Sequence, residues 1–172
     1  MTAAQRRRLN QERVGQLLPA VRAKALELLN AAETRGMPLL VTCAYRSPEQ
    51  QARLYAQGRT APGKRVTNAQ PGQSWHNHRA AFDVVFLREG VADRNGPWEQ
   101  LGQLGQSLGL IWGGSFLGLT DRPHFEFHPG LQLKSARTNS TAWQAFARRG
   151  VGPTYPQPSG PSPICTLRSA IA

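Results

Sequence analysis

Apolar residues recur at helical spacing along the first part of the chain. Between Asn10 and Arg35 they fall three to four positions apart, which predicts an amphipathic helix with one face on the core. Pro19 lies inside this segment, and because proline removes a helical hydrogen bond we expect a kink or a short first helix ending near Leu18. Gly36 marks the C-terminal end.

Four short segments have the apolar character of strands. Leu39 to Tyr45 is a continuous, partly β-branched run and predicts a buried strand, and the alternation from Ala81 to Leu87 predicts a second. A third, shorter strand is expected from Leu110 into a glycine turn. His124 to His128 alternates with period two, which predicts a strand with one buried face.

Two further helices have recognisable beginnings. Ser47 can cap a helix that begins at Pro48, and Gln50 can close a capping box. The second helix is expected from Pro97 to Leu108. Helices and short strands in mixed order predict an α+β domain.

Length and charge restrict the possible classes of protein. A chain of 172 residues fits one domain, and its net charge of +11 attracts polyanions such as nucleic acid, anionic lipid or anionic bacterial envelope polymers, unless it serves only solubility. No apolar run is long enough to span a bilayer, and no apolar stretch follows the basic residues Arg6 to Arg8. We therefore expect synthesis in the cytoplasm, with release by another agent.

The composition changes near residue 150. Residues 151–172 are rich in proline, serine and glycine, which predicts a tail that cannot bury enough apolar surface to order itself. The predicted domains are thus 1–150 and this tail. Of the two cysteines, Cys43 lies in an apolar run, and a bond to Cys165 in the tail is left open.

Four residues carry the most specific chemical signal. His76 and His124 offer two imidazoles, Asp83 offers a carboxylate, and Asp121 stands three residues before the second histidine. If the strands that carry Asp83 and His124 are neighbours, the first three groups converge on one point. Three nitrogen or oxygen ligands with a fourth position open form the ligand set of a catalytic zinc, and an extra acid is the usual proton carrier. Taken singly, any of these histidines is explained as well by an ordinary hydrogen-bonded role.

These motifs resemble the L-alanyl-D-glutamate endopeptidases of phage endolysins and bacterial autolysins. This group belongs to the D-alanyl-D-alanine metallopeptidase superfamily, whose fold is shared with the hedgehog signalling domain. The resemblance extends from about Leu39 to Phe127. It rests on Ser-x-His-x(6)-Asp at Ser74, His76 and Asp83, on Asp121-x-x-His124, on Ala44-Tyr45-Arg46-Ser47 and on Trp112-Gly113-Gly114.

The resemblance implies a fold and a set of roles. The fold would be a small antiparallel sheet flanked by helices. Zn²⁺ would be bound by His76, Asp83 and His124. Asp121 would act as general base and then general acid, Arg46 would bind a substrate carboxylate or steady the oxyanion, and Ser74 would bind substrate or orient a ligand.

One position departs from the family pattern. The family has glycine three residues after the first metal histidine, where this chain has Arg79. If φ is positive there, arginine costs about 1 kcal/mol or more. We expect the Arg79 side chain to point outward and activity to survive. His78 and His128 are expected to be ordinary hydrogen-bonded residues, while Glu126 is left between a solvent-facing and a supporting role.

The leading hypothesis is a monomeric phage or prophage endolysin that cuts peptidoglycan stem peptides between L-Ala and D-Glu. It would act on the wall from the periplasmic or extracellular side. A D-alanyl-D-alanine carboxypeptidase or dipeptidase is the alternative within the same chemistry, and a non-catalytic zinc or wall-binding domain is the alternative outside it. The basic residues are scattered without a nucleic-acid motif, so specific nucleic-acid binding is not expected.

Overall fold

The structure, a computed structural model, describes residues 1–149. The predicted tail and Cys165 lie outside the described residues, so the domain boundary and the Cys43–Cys165 bond remain predictions. In chain order the helices are α1 (Ala3–Val14), α2 (Pro19–Thr34), α3 (Pro48–Ala56), α4 (Trp98–Ser107), α5 (Leu133–Arg137) and α6 (Thr141–Arg148). The strands are β1 (Leu39–Cys43), β2 (Ala81–Arg88), β3 (Val91–Asp93), β4 (Ile111–Trp112) and β5 (His124–Glu126), and 3-10 helices span Trp75–His78 and Gly113–Ser115.

Proline and capping residues determine where several helices begin. Pro19 starts α2 as its first residue, so the predicted long helix is two helices rather than a kinked one. Ser47 and Gln50 form the predicted capping box at the start of α3. The first helix begins earlier than predicted, because Thr2 caps it and its largely polar sequence carries little apolar periodicity.

The five strands form one antiparallel sheet, which confirms the predicted fold class. The strand order is β1-β2-β5-β4, and β3 pairs with the end of β2. Aromatic residues of β2 and β5 stack in the centre, with the rings of Phe82 and Phe125 separated by 5.8 Å. Helices α2 and α4 contribute Leu28 and Leu101 to the same buried core.

Polar side chains of helix α1 form hydrogen bonds with the backbone groups of β1 at the edge of the sheet. The Asn10 amide nitrogen donates to the Leu39 carbonyl (2.9 Å), and its oxygen accepts from the Val41 amide (2.8 Å). Arg13 donates to the Val41 carbonyl. The edge groups of β1 are therefore bonded by a helix, which keeps them from pairing with another chain.

Two features beyond residue 123 differ from the sequence expectation. All three residues of β5 are buried, so the prediction of a single buried face is wrong for this strand. The chain continues beyond β5 into α5 and α6, which were not predicted. Trp143 and Phe146 of α6 are buried in the core.

Of the helices within residues 1–149, none has the length and apolar character needed to cross a bilayer.

Candidate metal centre

Strand pairing brings the predicted ligands together. Strands β2 and β5 pair so that Asp83 stands directly opposite His124. His76 comes from the 3-10 helix that precedes β2, and the Ser74 side chain caps this helix by accepting from the His76 amide (3.4 Å). The condition stated from the sequence, that the two strands are neighbours, is met.

The three side chains meet in one triangle of donor atoms. The Nε2 atom of His76 lies 3.2 Å from Oδ1 of Asp83 and 3.1 Å from Nδ1 of His124, and the latter two atoms are 2.9 Å apart. All three residues are buried. Ligands of a tetrahedral zinc at about 2.1 Å stand about 3.4 Å from one another, so the triangle is slightly smaller than, but close to, the size that this ion requires.

Hydrogen bonds on the outer side of each ring determine which nitrogen faces the triangle. The Nδ1 atom of His76 lies 2.8 Å from the Ala44 carbonyl, which can only accept, so Nδ1 carries the hydrogen. The Nε2 atom of His124 donates in the same way to Oε1 of Glu126 at 2.8 Å. Each neutral ring therefore directs a lone pair at the other ring and at Asp83.

Such an arrangement needs a positive charge in its centre. Two imidazole lone pairs and a carboxylate oxygen at about 3 Å repel one another unless a cation or a proton lies between them. The donor set of two histidines and one aspartate fits zinc, and the outer hydrogen bonds are those that metal-binding histidines make. The residues present therefore fit the implied metal.

Without metal, a proton takes this place. Burial alone would lower the pKa of His124, but hydrogen bonds with Asp83 and Glu126 outweigh it and raise the pKa to about 9. Burial lowers the pKa of His76, with the nearby Asp83 charge opposing it. One protonated ring, His124, and one neutral ring, His76, thus share the Asp83 carboxylate.

Asp121 lies close to two members of the triangle. Asp83, Asp121 and His124 offer ligand atoms that all lie within 4.8 Å of one another, and Asp121 is the half-buried member of this set. Its backbone is bonded to its surroundings, because its amide donates to the Gly113 carbonyl (2.9 Å) and its carbonyl accepts from the His124 amide (3.0 Å). A half-buried carboxylate in this position can exchange protons with a substrate.

The Trp-Gly-Gly turn supports the segment that carries Asp121. The indole nitrogen of Trp112 donates to the Arg122 carbonyl at 2.8 Å. A Cβ atom added at Gly113 would lie 2.5 Å from the Asp121 carbonyl oxygen, so only glycine allows this approach. Trp112 is buried and therefore supports the turn rather than lining an open groove.

Arg46 contacts the carboxylate oxygen of Asp83 that is not part of the triangle. Its Nη2 atom is 3.6 Å from Oδ2 of Asp83, and its Nη1 atom donates to Oε1 of Gln51 at 2.9 Å. Only 5% of its side chain is exposed. These contacts are with the protein, whereas the sequence suggested contacts with substrate.

Arg79 has the backbone conformation that explains the family glycine. Its φ is +59°, in the left-handed region. Its guanidinium lies 4.2 Å from the centre of the Tyr45 ring and donates to the Gln16 carbonyl (2.9 Å). The side chain is thus half-buried between Tyr45 and the turn that follows α1, and the prediction that it points outward into solvent is wrong.

From the sequence alone, the role of Glu126 is undecided and His128 has no link to the site. Glu126 is buried, accepts from His124 and lies 3.0 Å from Nε2 of His128 through its other oxygen. Period-two spacing places His124, Glu126 and His128 on one face of the strand, and this signal could have found both residues. Cys43 lies on the outer side of His76, with its Sγ atom 3.6 Å from Nδ1.

Solved structures resemble the fold. The L-Ala D-Glu endopeptidase ChiX of Serratia marcescens matches with a TM-score of 0.50 and 23% identity, over 70% of this chain and 86% of that one. The vancomycin resistance D,D-pentapeptidase VanY, whose E175A mutant was solved with Zn(II), matches with a TM-score of 0.50 and 17% identity, over 69% and 75%. At these identities the likeness shows the fold alone.

Curated relatives and a family model match the sequence. The peptidoglycan L-alanyl-D-glutamate endopeptidase CwlK of Bacillus subtilis (strain 168) is 34% identical over 124 residues, which cover 66% of this chain and 74% of that protein. The L-alanyl-D-glutamate peptidase of Listeria phage A118 is 29% identical over 119 residues, 67% of this chain but only 39% of that protein. Residues 15–106, more than half of the chain, match the family VanY, D-alanyl-D-alanine carboxypeptidase. With this match and the 34% identity beside it, the chain belongs to the VanY family.

Proposed function

We propose that this protein is a zinc-dependent peptidoglycan endopeptidase that cuts stem peptides between L-Ala and D-Glu and serves phage or prophage lysis. The observation that carries the proposal is the buried triangle of His76, Asp83 and His124 with the Asp121 carboxylate close to Asp83 and His124. The names of the Bacillus and phage relatives support this bond. The family description favours a D-alanyl-D-alanine carboxypeptidase as the second candidate.

His76, Asp83 and His124 would hold the zinc, which would supply polarisation of the scissile carbonyl and activation of the attacking water. The remaining chemistry belongs to Asp121, whose half-buried carboxylate takes the proton of the attacking water. The same oxygen then gives this proton to the nitrogen of the leaving D-Glu amine. The amide C–N bond breaks, and the L-Ala carboxylate and the free amine are the products.

Two residues hold the ligands in place in this proposal. Arg46 places a positive charge 3.6 Å from the outer oxygen of Asp83, which favours the ionised, metal-binding form of that carboxylate. Ser74 caps the 3-10 helix and thereby orients His76. The contacts of both residues support orientation of the ligands, while direct binding of substrate by either remains a prediction.

The net charge of +11 supports action at the bacterial envelope. Anionic wall polymers attract such a protein over about a Debye length, which raises its local concentration at the substrate. Synthesis in the host cytoplasm, release to the wall and a monomeric state belong to this proposal.

Mass spectrometry of digested peptidoglycan tests the proposal. We expect zinc-loaded protein to release stem peptides that begin with a free D-Glu amine, and a chelator to abolish them. Asp121→Asn should bind zinc but lower the rate by about 100-fold or more. Loss of terminal D-Ala with intact L-Ala–D-Glu bonds would identify the carboxypeptidase instead. Wall binding without any cleavage would identify a non-catalytic domain.

A further inference from the structure

A chain of contacts continues from the candidate metal centre into the protein. Glu126 bonds His124 through Oε1 (2.8 Å) and His128 through Oε2 (3.0 Å). The His128 ring then stacks on Trp75, with ring centres 3.8 Å apart and planes 13° from parallel. Trp75 precedes His76, so the chain returns to the other histidine of the triangle.

Both ring nitrogens of His128 and both carboxylate oxygens of Glu126 have hydrogen-bond partners in this series of contacts. Nδ1 of His128 lies 3.0 Å from the Leu131 carbonyl, which can only accept, and Nε2 faces the Glu126 carboxylate. Each nitrogen of the His128 ring thus has an oxygen partner. Each oxygen of Glu126 bonds one histidine, so a rotation of the carboxylate would break at least one of the two bonds.

The Trp75 and His128 end of this series of contacts is also closely packed. Trp75 and His128 are largely buried, and the Trp143 ring of α6 lies 6.0 Å from Trp75. The segments that carry His76 and His124 are 48 residues apart in sequence. Glu126, His128 and Trp75 connect these two segments by side-chain contacts alone.

We propose that Glu126 and His128 are positioning residues that keep Nδ1 of His124 directed at the metal and tie it to the helix that carries His76. Without Glu126, the His124 ring loses the acceptor that keeps the hydrogen on Nε2. The other tautomer, or a flipped ring, then competes, and part of the binding free energy is spent on restoring the geometry. The inference rests on the zinc centre of the proposed function, but not on the bond that it cuts.

Zinc affinity of folded variants, measured by competition with a chelator, tests the role of Glu126. We expect Glu126→Ala to weaken zinc binding 10- to 100-fold, the effect typical of partners of metal-binding histidines. Glu126→Gln should lose less than tenfold, because its amide oxygen still accepts from His124 while its nitrogen donates to His128. The control is Glu99→Gln, an exposed glutamate paired with Arg122, which should leave the affinity unchanged.

The role of His128 is tested by a variant that keeps its stacking. His128→Phe retains a ring over Trp75 but removes both hydrogen bonds, and it should weaken zinc binding about tenfold, the lower limit for such partners. His78→Gln is the matched control, since His78 also contacts Trp75 and Trp143 but bonds the Gly72 carbonyl instead of Glu126. It should bind zinc as the wild type does.

Spectroscopy separates positioning from general stability. In the zinc-loaded wild type, NMR of the imidazole nitrogens should show metal on Nδ1 of His124 and hydrogen on Nε2, and the visible spectrum of the Co²⁺ form should be that of a tetrahedral site. Glu126→Ala should change both. A variant that unfolds at lower temperature but retains the wild-type zinc affinity and spectra would overturn the inference. Altered affinity and spectra in a protein that cleaves no peptidoglycan would support it and refute only the proposed function.

Discussion

Removal of the metal should reverse the pH dependence of stability that the site produces. In the metal-free protein the pKa of His124 is raised from its ordinary 6.5 to about 9. Between these pH values the folded protein holds a proton on this ring that the unfolded chain has lost. The stabilisation is therefore complete below pH 6.5 and disappears as the pH rises to 9.

The magnitude follows from the size of this interval. At 1.36 kcal/mol per pH unit, the free energy of unfolding of the metal-free protein should fall by about 3 kcal/mol between pH 6.5 and 9. The pKa of His76 is lowered by burial, so its contribution falls below pH 6.5 instead. Hydrogen bonds from His124 and His128 outweigh burial and lower the pKa of Glu126 to about 2, which affects stability only at acid pH. Stability without metal should thus be greatest near pH 6.5.

Denaturant unfolding followed by circular dichroism, in the presence of a chelator, measures this dependence. His124→Gln should remove the decrease between pH 6.5 and 9. In the zinc-loaded protein the metal displaces the Nδ1 proton, so zinc affinity rises with pH and the stability gained from zinc should grow over the same range. A metal-free protein whose stability is constant or increases from pH 6.5 to 9 would refute the proton-for-metal exchange.

Three further substitutions test how the site is supported. Asn10→Ala leaves the buried Val41 amide without its acceptor and the Leu39 carbonyl with only the 3.5 Å contact from Arg6, so it should lower the free energy of unfolding by about 1–3 kcal/mol. The exposed Gln11→Ala should leave it unchanged, and equal denaturation midpoints for the two variants would contradict this role of Asn10. Gly113→Ala puts a Cβ atom 2.5 Å from the Asp121 carbonyl oxygen, so the segment that carries Asp121 must shift and kcat/KM should fall up to about 100-fold. A folded variant with full activity would argue against the role of this turn. Arg79→Gly relieves the strain of the left-handed backbone that Arg79→Ala retains, so the glycine variant should be the more stable of the two by about 1 kcal/mol in denaturant unfolding. Zinc affinity should be unchanged in both, and an alanine variant of equal stability would show that no strain is stored at this position.

Much of the fold could be predicted because local signals agree with the final structure. The cap at Ser47, the proline at Pro19 and the apolar run from Leu39 act within a few residues, so their elements appear close to where they were predicted. Helix α1 escaped prediction over its first residues because its buried side chains are polar. Arg6, Asn10 and Arg13 are buried against an edge strand, and no apolar periodicity reveals such a face.

In the candidate site, too, local signals could be predicted while the long-range arrangement could not. Spacing and resemblance were sufficient to name His76, Asp83, Asp121 and His124, because each motif lies within a few residues of sequence. Their convergence depended on one fact of long-range pairing, the register that sets Asp83 against His124. Many pairings are compatible with strands this short, so the sequence could state this only as a condition.

The sequence by itself determined the candidate ligand types, their local spacing and the positions at which α2 and α3 begin. These depend on covalent geometry and on neighbours along the chain. Only the tertiary structure decided what lies behind the ligands. Arg46 against Asp83, and Glu126 and His128 behind His124, are contacts between residues brought together by sheet register and helix packing. The physical reason is that a hydrogen bond depends on distances of tenths of an ångström, which local sequence patterns do not specify.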